Sequence, residues 1–501
     1  MDKSTIIYNE ATSIDEWILL PGLTRKDCIP SNVDVTQEAH GIFFRFPMMP
    51  ASMSCLYTAK KHDLAVTSAR EGMPPVIHYN QTIDDQVLII NAVKAANIPV
   101  GGIERIDEPV SIDYRKTLKD VVELTEKYGH SVIPVVDRTN VLHGVFIRPF
   151  GDITIDPDTP ITQLKKPLYY PLEDIEVGEE GISDKKIAGI FDIIHDKGMA
   201  QNFLPLIGEG ERLAQFVFQQ KFPAYFCGAA LSTQPGWEDR AKACAEAGTD
   251  FFVIDTSDGY SEFELDVLKG LKDKYPDIPR CGGNWITADA FEYFKDYIDF
   301  GKIGMMTGTA CRTGFEKGVG SPLFEPLREI REARDRHYEE TNHYVYLIGD
   351  GGVRRPYQMA IVLKLVDLMM GGSYFARFYE SAGKGRDKDG NFTDNEDLIV
   401  EKEYFGEGSL RARNRERYEQ EAIPVKSLLV EGDYGFVPHV GRLKPNVESE
   451  FKAVINFMCN AGCMSLAEYR QNARIRKLSE KGMEERLPSP AMKVEKDKQA
   501  K

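Results

Sequence analysis

From residue 222 onward the chain alternates short apolar runs with amphipathic stretches, and each apolar run stops at small or polar residues. PAYFCGAA (223–230) reads as a buried strand, and EDRAKACAEAG (238–248) as a helix closed by a glycine. FFVIDTSDG (251–259) reads as a strand with a polar end, followed by a predicted helix near 261–274. PRCGGNW and a second helix near 287–296 come next, and the stretch from Tyr297 to Met306 enters a Gly/Thr-rich turn. YVYLIGDGG (344–352) and LVDLMMGGS (365–373) repeat the theme. Apolar runs of this length with helices between them imply parallel strands covered on the outside. Many such units in one chain predict an α/β fold, a (β/α)8 barrel.

In such barrels the chemistry sits where strands end and loops begin. The predicted strand ends are Asp255 with Ser257, then Asn284, Cys311, Asp350 with Gly351 and Gly352, and Gly371 to Ser373. Cys311 lies within KIGMMTGTACRTGFEKGVG (302–320). Glycines let backbone amides approach an anion, and a thiolate placed there can attack an electrophilic carbon. A cysteine is more often a small core residue than a nucleophile. The flanking glycines and Thr309 favour an exposed turn here. Paired glycines after two late strands fit a phosphate site.

Two stretches interrupt the rhythm. Residues 104–221 contain TLKDVVELTEKYGHSVIPVVD with LHGVFI, then KIAGIFDIIHDKGMAQNFLPLIG with LAQFVF. Both read as helix, strand, turn, strand, which makes a tandem repeat inserted into a barrel of residues 1–103 and 222–501. The second interruption, about 381–436, is charged and poor in apolar runs, the signature of a mobile lid.

Composition narrows the function. With 62 basic and 78 acidic side chains the formal charge is −16, which argues against a general nucleic-acid or membrane-surface binder. The apolar fraction of 42% suffices for a large core. No apolar signal core or membrane-length stretch stands out. Eight scattered cysteines fit a reduced, cytoplasmic setting, and the Cys459/Cys463 spacing reads as structural rather than metal-binding. No GxGxxG follows a first strand, so a Rossmann domain is not supported.

Several segments, in order, resemble the inosine monophosphate (IMP) dehydrogenase family. GMMTGTACRT with EKGVG resembles its cysteine loop, and YLIGDGG its phosphate and ribose loop. KEYFGEGSLRARNRERYE (402–419) resembles its lid, and VEGDYGFVPHVGRLK (430–444) the segment after it. YNEATSIDEWILLPG, the REG at 70–72 and MCNAG (458–462) also fit, and the tandem insert matches a paired CBS (cystathionine-β-synthase-like) module. The wording is closest to protozoal and divergent bacterial members.

The resemblance implies NAD-dependent oxidation of IMP to xanthosine monophosphate through a covalent intermediate on Cys311, in a homotetramer. It implies roles for Thr313 near the attacking water, for Arg417 and Tyr418 as the lid's base pair, and for Glu431 as a second proton route. Substrate would be held by Met53, Thr309, Asp350, Gly351, Gly352, Gly372, Ser373, Tyr404, Gly406, Glu407 and Gly408. Asp255, Ser257 and Asn284 would face NAD. Backbone carbonyls of Met306, Gly308 and Cys311 would hold potassium, although Met306 replaces a glycine. Arg312 stands where a smaller uncharged residue is usual. The CBS pair implies an adenine or guanine nucleotide, without a clear ribose-binding Asp pattern. Two other readings stay open: a guanosine monophosphate (GMP) reductase using NADPH, and a non-catalytic nucleotide sensor.

Overall fold

Eight parallel strands carry the larger part of the protein: β1 Met48–Pro50, β2 Val76–Ile77, β3 Gly228–Leu231, β4 Phe251–Ile254, β5 Arg280–Trp285, β6 Phe300–Ile303, β7 Tyr346–Asp350 and β8 Leu368–Gly371. They bond in the order β1–β8–β7–β6–β5–β4–β3–β2, every pair parallel, as a nearly closed barrel. The computed structural model describes residues 10–96, 103–128, 132–147, 156–164, 169–171, 178–179, 187, 203–219, 225–413 and 430–486. The chain divides into two compact units, one of Met1–Ala95, Phe226–Leu443 and Val447–Lys501, the other of Ala96–Tyr225 with Lys444–Asn446.

The strands after residue 222 fall where the apolar runs predict, although β3 starts later than PAYFCGAA. β1 and β2 are too short, at three and two residues, to announce themselves by periodicity. The helices of the larger unit include α1 Asp63–Arg70, α2 Ile83–Ala95, α3 Trp237–Glu246, α4 Glu262–Lys274, α5 Ala288–Phe294, α6 Phe324–Thr341 and α7 Pro356–Leu365. Ser261 and Thr287 cap α4 and α5, their side chains accepting from the amides of Glu264 and Ala290. Phe251, Phe252, Phe300 and Trp285 are fully buried, and Trp285 stacks on Phe294 with ring centres 5.0 Å apart. Each such ring contributes about 2–3 kcal/mol of apolar burial.

The stretch expected to be a polar excursion contains a four-stranded antiparallel sheet: β9 Gly385–Arg386, β10 Phe392–Thr393, β11 Glu401–Phe405 and β12 Tyr434–Pro438, in the order β10–β9–β11–β12. In β11, Lys402 and Glu403 are buried with Tyr404 and Phe405. The Lys402 ammonium donates to the carbonyls of Tyr379 at 3.2 Å and Ser381 at 3.0 Å. Its charge is therefore hidden from a composition reading.

Among its described residues the smaller unit holds two sheets of matching design. One comprises Ile112–Asp113, Val132–Val136, Leu142–Ile147 and Tyr169–Pro171. The other comprises Gly178–Glu179, Phe203–Ile207, Leu213–Gln219 and Ile103–Ile106. Val132 pairs with Ile147 and Phe203 with Phe218, and the register breaks at Val135/Val136 and again at Leu206/Ile207. Asn140 and Glu211 both take positive φ, at 65° and 60°. Val141 and Arg212, at matching places in the two hairpins, bridge to one another. The helix expected in KIAGIFDIIHDKG lies, apart from Ile187, outside the described residues.

Candidate active site

The predicted strand ends all lie at the C-terminal rim of the barrel. Asp255 follows β4, Asn284 is the penultimate residue of β5, the cysteine loop follows β6, Asp350 closes β7 and Gly372 follows β8. Ser257 is exposed in the loop after β4.

The cysteine loop is folded by its own backbone. The Cys311 amide donates to the Gly308 carbonyl at 3.0 Å, and the loop leads into a short helix, Thr313–Glu316. The Cys311 thiol donates to the Thr313 hydroxyl at 3.3 Å. Cys311 alone among the eight cysteines is not buried. Burial pushes the Cys55 and Cys281 thiols up to about 12, which leaves them unreactive. Met306 takes φ 80°, the left-handed region that favours glycine, so the loop keeps a glycine-like path at the substituted position. Space for its side chain comes from Gly320, where an added Cβ would lie 2.5 Å from the Cβ of Met306.

Residues named for phosphate and base converge on this loop. The hydroxyls of Thr309 and Ser373 lie 2.9 Å apart, joining the cysteine loop to the loop after β8. The Tyr404 hydroxyl reaches the Met53 sulfur at 3.9 Å, and a Cβ on Gly372 would sit 2.6 Å from that sulfur. Burial drives the Tyr404 phenol far above its ordinary range, so it acts as a neutral donor. Thr307 donates its hydroxyl to the Asp350 carbonyl at 3.0 Å, and Gly351 (φ 82°) and Gly352 (φ 72°) turn the chain beside it. A Cβ on Gly351 would lie 2.8 Å from the Thr307 hydroxyl, so the close approach itself requires glycine.

On the other side of the mouth, the Asn284 amide donates to Asp350 Oδ2 and to the Gly304 carbonyl, each at 2.7 Å. Its oxygen accepts from the ammonium of Lys302, a residue of β6 that is only 2% exposed. Lys302 also stands 3.8 Å from Asp255 and 3.9 Å from Asp350. Burial opposes the ammonium, but Asp255 and Asp350 outweigh it and hold its pKa above the ordinary lysine value. Burial raises the Asp350 carboxyl, against the pull of Lys302 and Asn284. Beneath this network lies Glu264, fully buried on α4, which accepts from the Gly283 amide at 2.8 Å and the Thr256 hydroxyl at 3.5 Å. Burial pushes its carboxyl up to about 8. Sequence reasoning missed both Lys302 and Glu264.

Residues 431–433 return to the cysteine loop. Gly432 bridges Cys311, the Asp433 amide donates to the Ala310 carbonyl at 2.9 Å, and the Arg312 amide donates to the Glu431 carbonyl at 2.8 Å. The Glu431 amide donates to the Gly408 carbonyl at 3.2 Å, and the Gly406 amide to the Asp433 carbonyl at 3.1 Å. Glu407 uses one carboxylate oxygen for the amide and hydroxyl of Ser54, at 2.6 and 2.7 Å, and the other for Asn80 at 2.8 Å. Its contacts here are therefore with the segments that follow β1 and β2. The Arg312 guanidinium pairs with Asp433 at 3.1 Å and Glu316 at 2.7 Å. Arg417 and Tyr418 lie outside the described residues.

Fold and rim together define a (β/α)8-barrel enzyme with a thiol-bearing loop at its mouth. Comparison with known proteins gives the same class and a family. Residues 11–488 match the IMP dehydrogenase / GMP reductase domain. The inosine-5'-monophosphate dehydrogenase of Tritrichomonas foetus is 31% identical over 495 residues, covering 93% of this chain and 94% of that protein. Its counterpart in Escherichia coli (strain K12) is 28% identical over 498 residues, covering 96% of each. Among solved structures, a cysteine-to-alanine variant of the GMP reductase of Trypanosoma brucei, in complex with guanosine 5'-monophosphate, superposes with a TM-score of 0.64 at 21% identity, covering 96% of this chain and 98% of that one. The chain belongs to the IMP dehydrogenase / GMP reductase family.

Proposed function

We propose that this protein oxidises IMP to xanthosine 5'-monophosphate with NAD as the acceptor. One observation carries the reading: the only unburied thiol, Cys311, sits beside the Thr313 hydroxyl on a rim that also gathers Thr309, Ser373, Tyr404, Met53 and Asp350. The Cys311 thiol gives up its proton and its sulfur bonds to C2 of the purine, the C2=N3 π pair moving onto N3 and returning as the hydride leaves. Bound NAD would supply the acceptor for the hydride of C2. Water then adds to C2, the C2–S bond breaks with its electron pair left on sulfur, and the water's proton leaves through protein groups. Thr313 with Glu431 is one route, and Arg417 with Tyr418, from the lid sequence, is the other. Arg417 is the less natural base, since a guanidinium is ordinarily protonated.

Asp350 is suited to the ribose hydroxyls, because a carboxylate accepts from both. Thr309, Ser373, the Gly351–Gly352 and Gly372 amides and Tyr404 are suited to phosphate. The donor set fits NAD on the β4–β5 side, with Asp255 and Asn284 around the buried charge of Lys302 and Ser257 exposed in the loop after β4. Gly406 and Gly408 let the chain pass close to 431–432, and a Cβ on Gly408 would lie 2.9 Å from that of Glu431. Potassium would take the carbonyls of Met306, Gly308 and Cys311. Gly308 already accepts one amide, so only its second lone pair is available. Among the described residues no His/Cys/Asp/Glu group suits a metal ion, and none of the helices is long and apolar enough to cross a membrane.

The repeated sheets of the smaller unit support a CBS pair that takes an adenine or guanine nucleotide. A homotetramer and a cytoplasmic setting complete the reading, the latter favoured by eight unpaired thiols.

Paired assays test it. IMP with NAD should raise the reduced-cofactor absorbance, and GMP with NADPH should leave it unchanged. A fall in the second mixture would establish the reductase instead. Silence in both, with nucleotide binding retained, would leave a sensor. Arg417→Ala should preserve hydride transfer and slow hydrolysis.

A further inference from the structure

Two ion pairs flank the bridge between Cys311 and Gly432. Arg312 meets Asp433 at 3.1 Å, and Lys317 meets Glu431 Oε1 at 2.9 Å. Glu431 and Asp433 are two residues apart on an extended segment, so their side chains leave the same face. Arg312 and Lys317 frame the short helix that begins at Thr313. Arg312 is itself held by Glu316 four residues on, and its guanidinium lies 5.5 Å from the Phe315 ring centre. Lys317 takes only one oxygen of Glu431. The other, Oε2, is buried and has no hydrogen-bond partner among the described residues. An acceptor held in this state is available to a hydroxyl or a water.

We propose that Arg312 and Lys317 are positioning residues, an ionic clamp that fixes Glu431 against the helix carrying Thr313 and thereby serves the hydrolytic half of the reaction. The proposal rests on the IMP-oxidation reading for its kinetic consequence. The clamp itself does not depend on that reading. Arg312 is 36% and Asp433 61% exposed, so that rung alone is weak. Lys317 and Glu431 are more sheltered, at 34% and 16%, and carry more of the effect.

The test uses the full chain with IMP and NAD, comparing Lys317→Met, Lys317→Arg and the Arg312→Met/Lys317→Met pair with the unsubstituted protein. Lys317→Met should give a burst of reduced cofactor of about one per site at an unchanged rate, then turnover slowed about tenfold, because a proton route and not hydride transfer is lost. Lys317→Arg should restore turnover. Hydrogen exchange of the Arg312 and Asp433 amides should be faster in the double variant. Equal loss of burst rate and turnover, unchanged turnover, or no rescue by arginine would overturn the proposal. If the unsubstituted protein makes no reduced cofactor, the functional reading fails. The exchange measurement then judges the clamp alone, and unchanged protection sinks it.

Discussion

Asn284 donates to Asp350 Oδ2 and to the carbonyl of Gly304 at the same distance, 2.7 Å, so one amide ties the ends of β5, β6 and β7 together. The ammonium of Lys302 sits under that amide with Asp255 and Asp350 on either side. The rim therefore holds the Asp350 carboxylate in place before any ligand arrives, which lowers the ordering cost of binding there.

Lys302→Met should destabilise the protein by about 3 kcal/mol, since it strands two carboxylates around a buried site. Chemical denaturation would show this as a lower midpoint with an unchanged slope. Asp350→Ala should lower stability by removing one of the two carboxylates beside buried Lys302, and should weaken IMP binding at least tenfold, by titration calorimetry, through loss of charge-assisted bonds.

Cys311→Ala should abolish turnover without loss of stability. In the native protein iodoacetamide should label one thiol per chain, and in Cys311→Ala none, because the other seven cysteines are buried. Mass spectrometry after unfolding should recover all eight. Labelling of a second native thiol would remove the argument from exposure.

Glu264 makes stability depend on pH. Its folded pKa, about 8, lies above the ordinary value of 4.5. The folded state therefore holds a proton that the unfolded state releases, and the favourable term is complete below about pH 4.5 and disappears as pH rises through about 8. The change is on the order of 5 kcal/mol. Glu264→Gln should flatten that decline, so that thermal midpoints of the two proteins converge near pH 5 and the variant is higher near pH 9. Parallel curves would show that the carboxyl is ionised throughout.

Met306→Gly should relax a backbone held at φ 80° and stabilise the loop by about 1 kcal/mol locally, offset in part by the greater freedom of glycine when unfolded. Gly320→Val should do the reverse, pressing on the Met306 side chain and slowing alkylation of Cys311. A thermal midpoint unmoved by either change would show that the loop absorbs the strain.

The barrel was legible because its strands after residue 222 are apolar runs ended by distinctive polar residues. Asp255, Asn284, Cys311 and Asp350 stand at strand ends in sequence and on the rim in space. Other features were hidden for identifiable reasons. Lys302 is one charge inside an apolar strand and gains its place from partners 18 and 48 residues away in the chain. Glu264 stands three residues after Ser261, a spacing that reads as a capping box. Ser261 does cap the Glu264 amide, but the carboxylate reaches across to Gly283. The charged stretch from 381 conceals a sheet because Lys402 and Glu403 satisfy their charge by burial against carbonyls, an amide and Arg411.

The two sheets of the smaller unit are completed reciprocally. The strand Ile103–Ile106, which opens the first repeat in sequence, bonds to Leu213–Gln219 of the second, and Tyr169–Pro171, which opens the second, bonds to Leu142–Ile147 of the first. Each repeat thus lends its partner an edge. A single repeat, cut from the chain, would lose one strand of its own sheet and keep one with nothing to pair to, an invitation to aggregate. The duplication is consequently indivisible, and an engineered deletion has to remove both halves or neither.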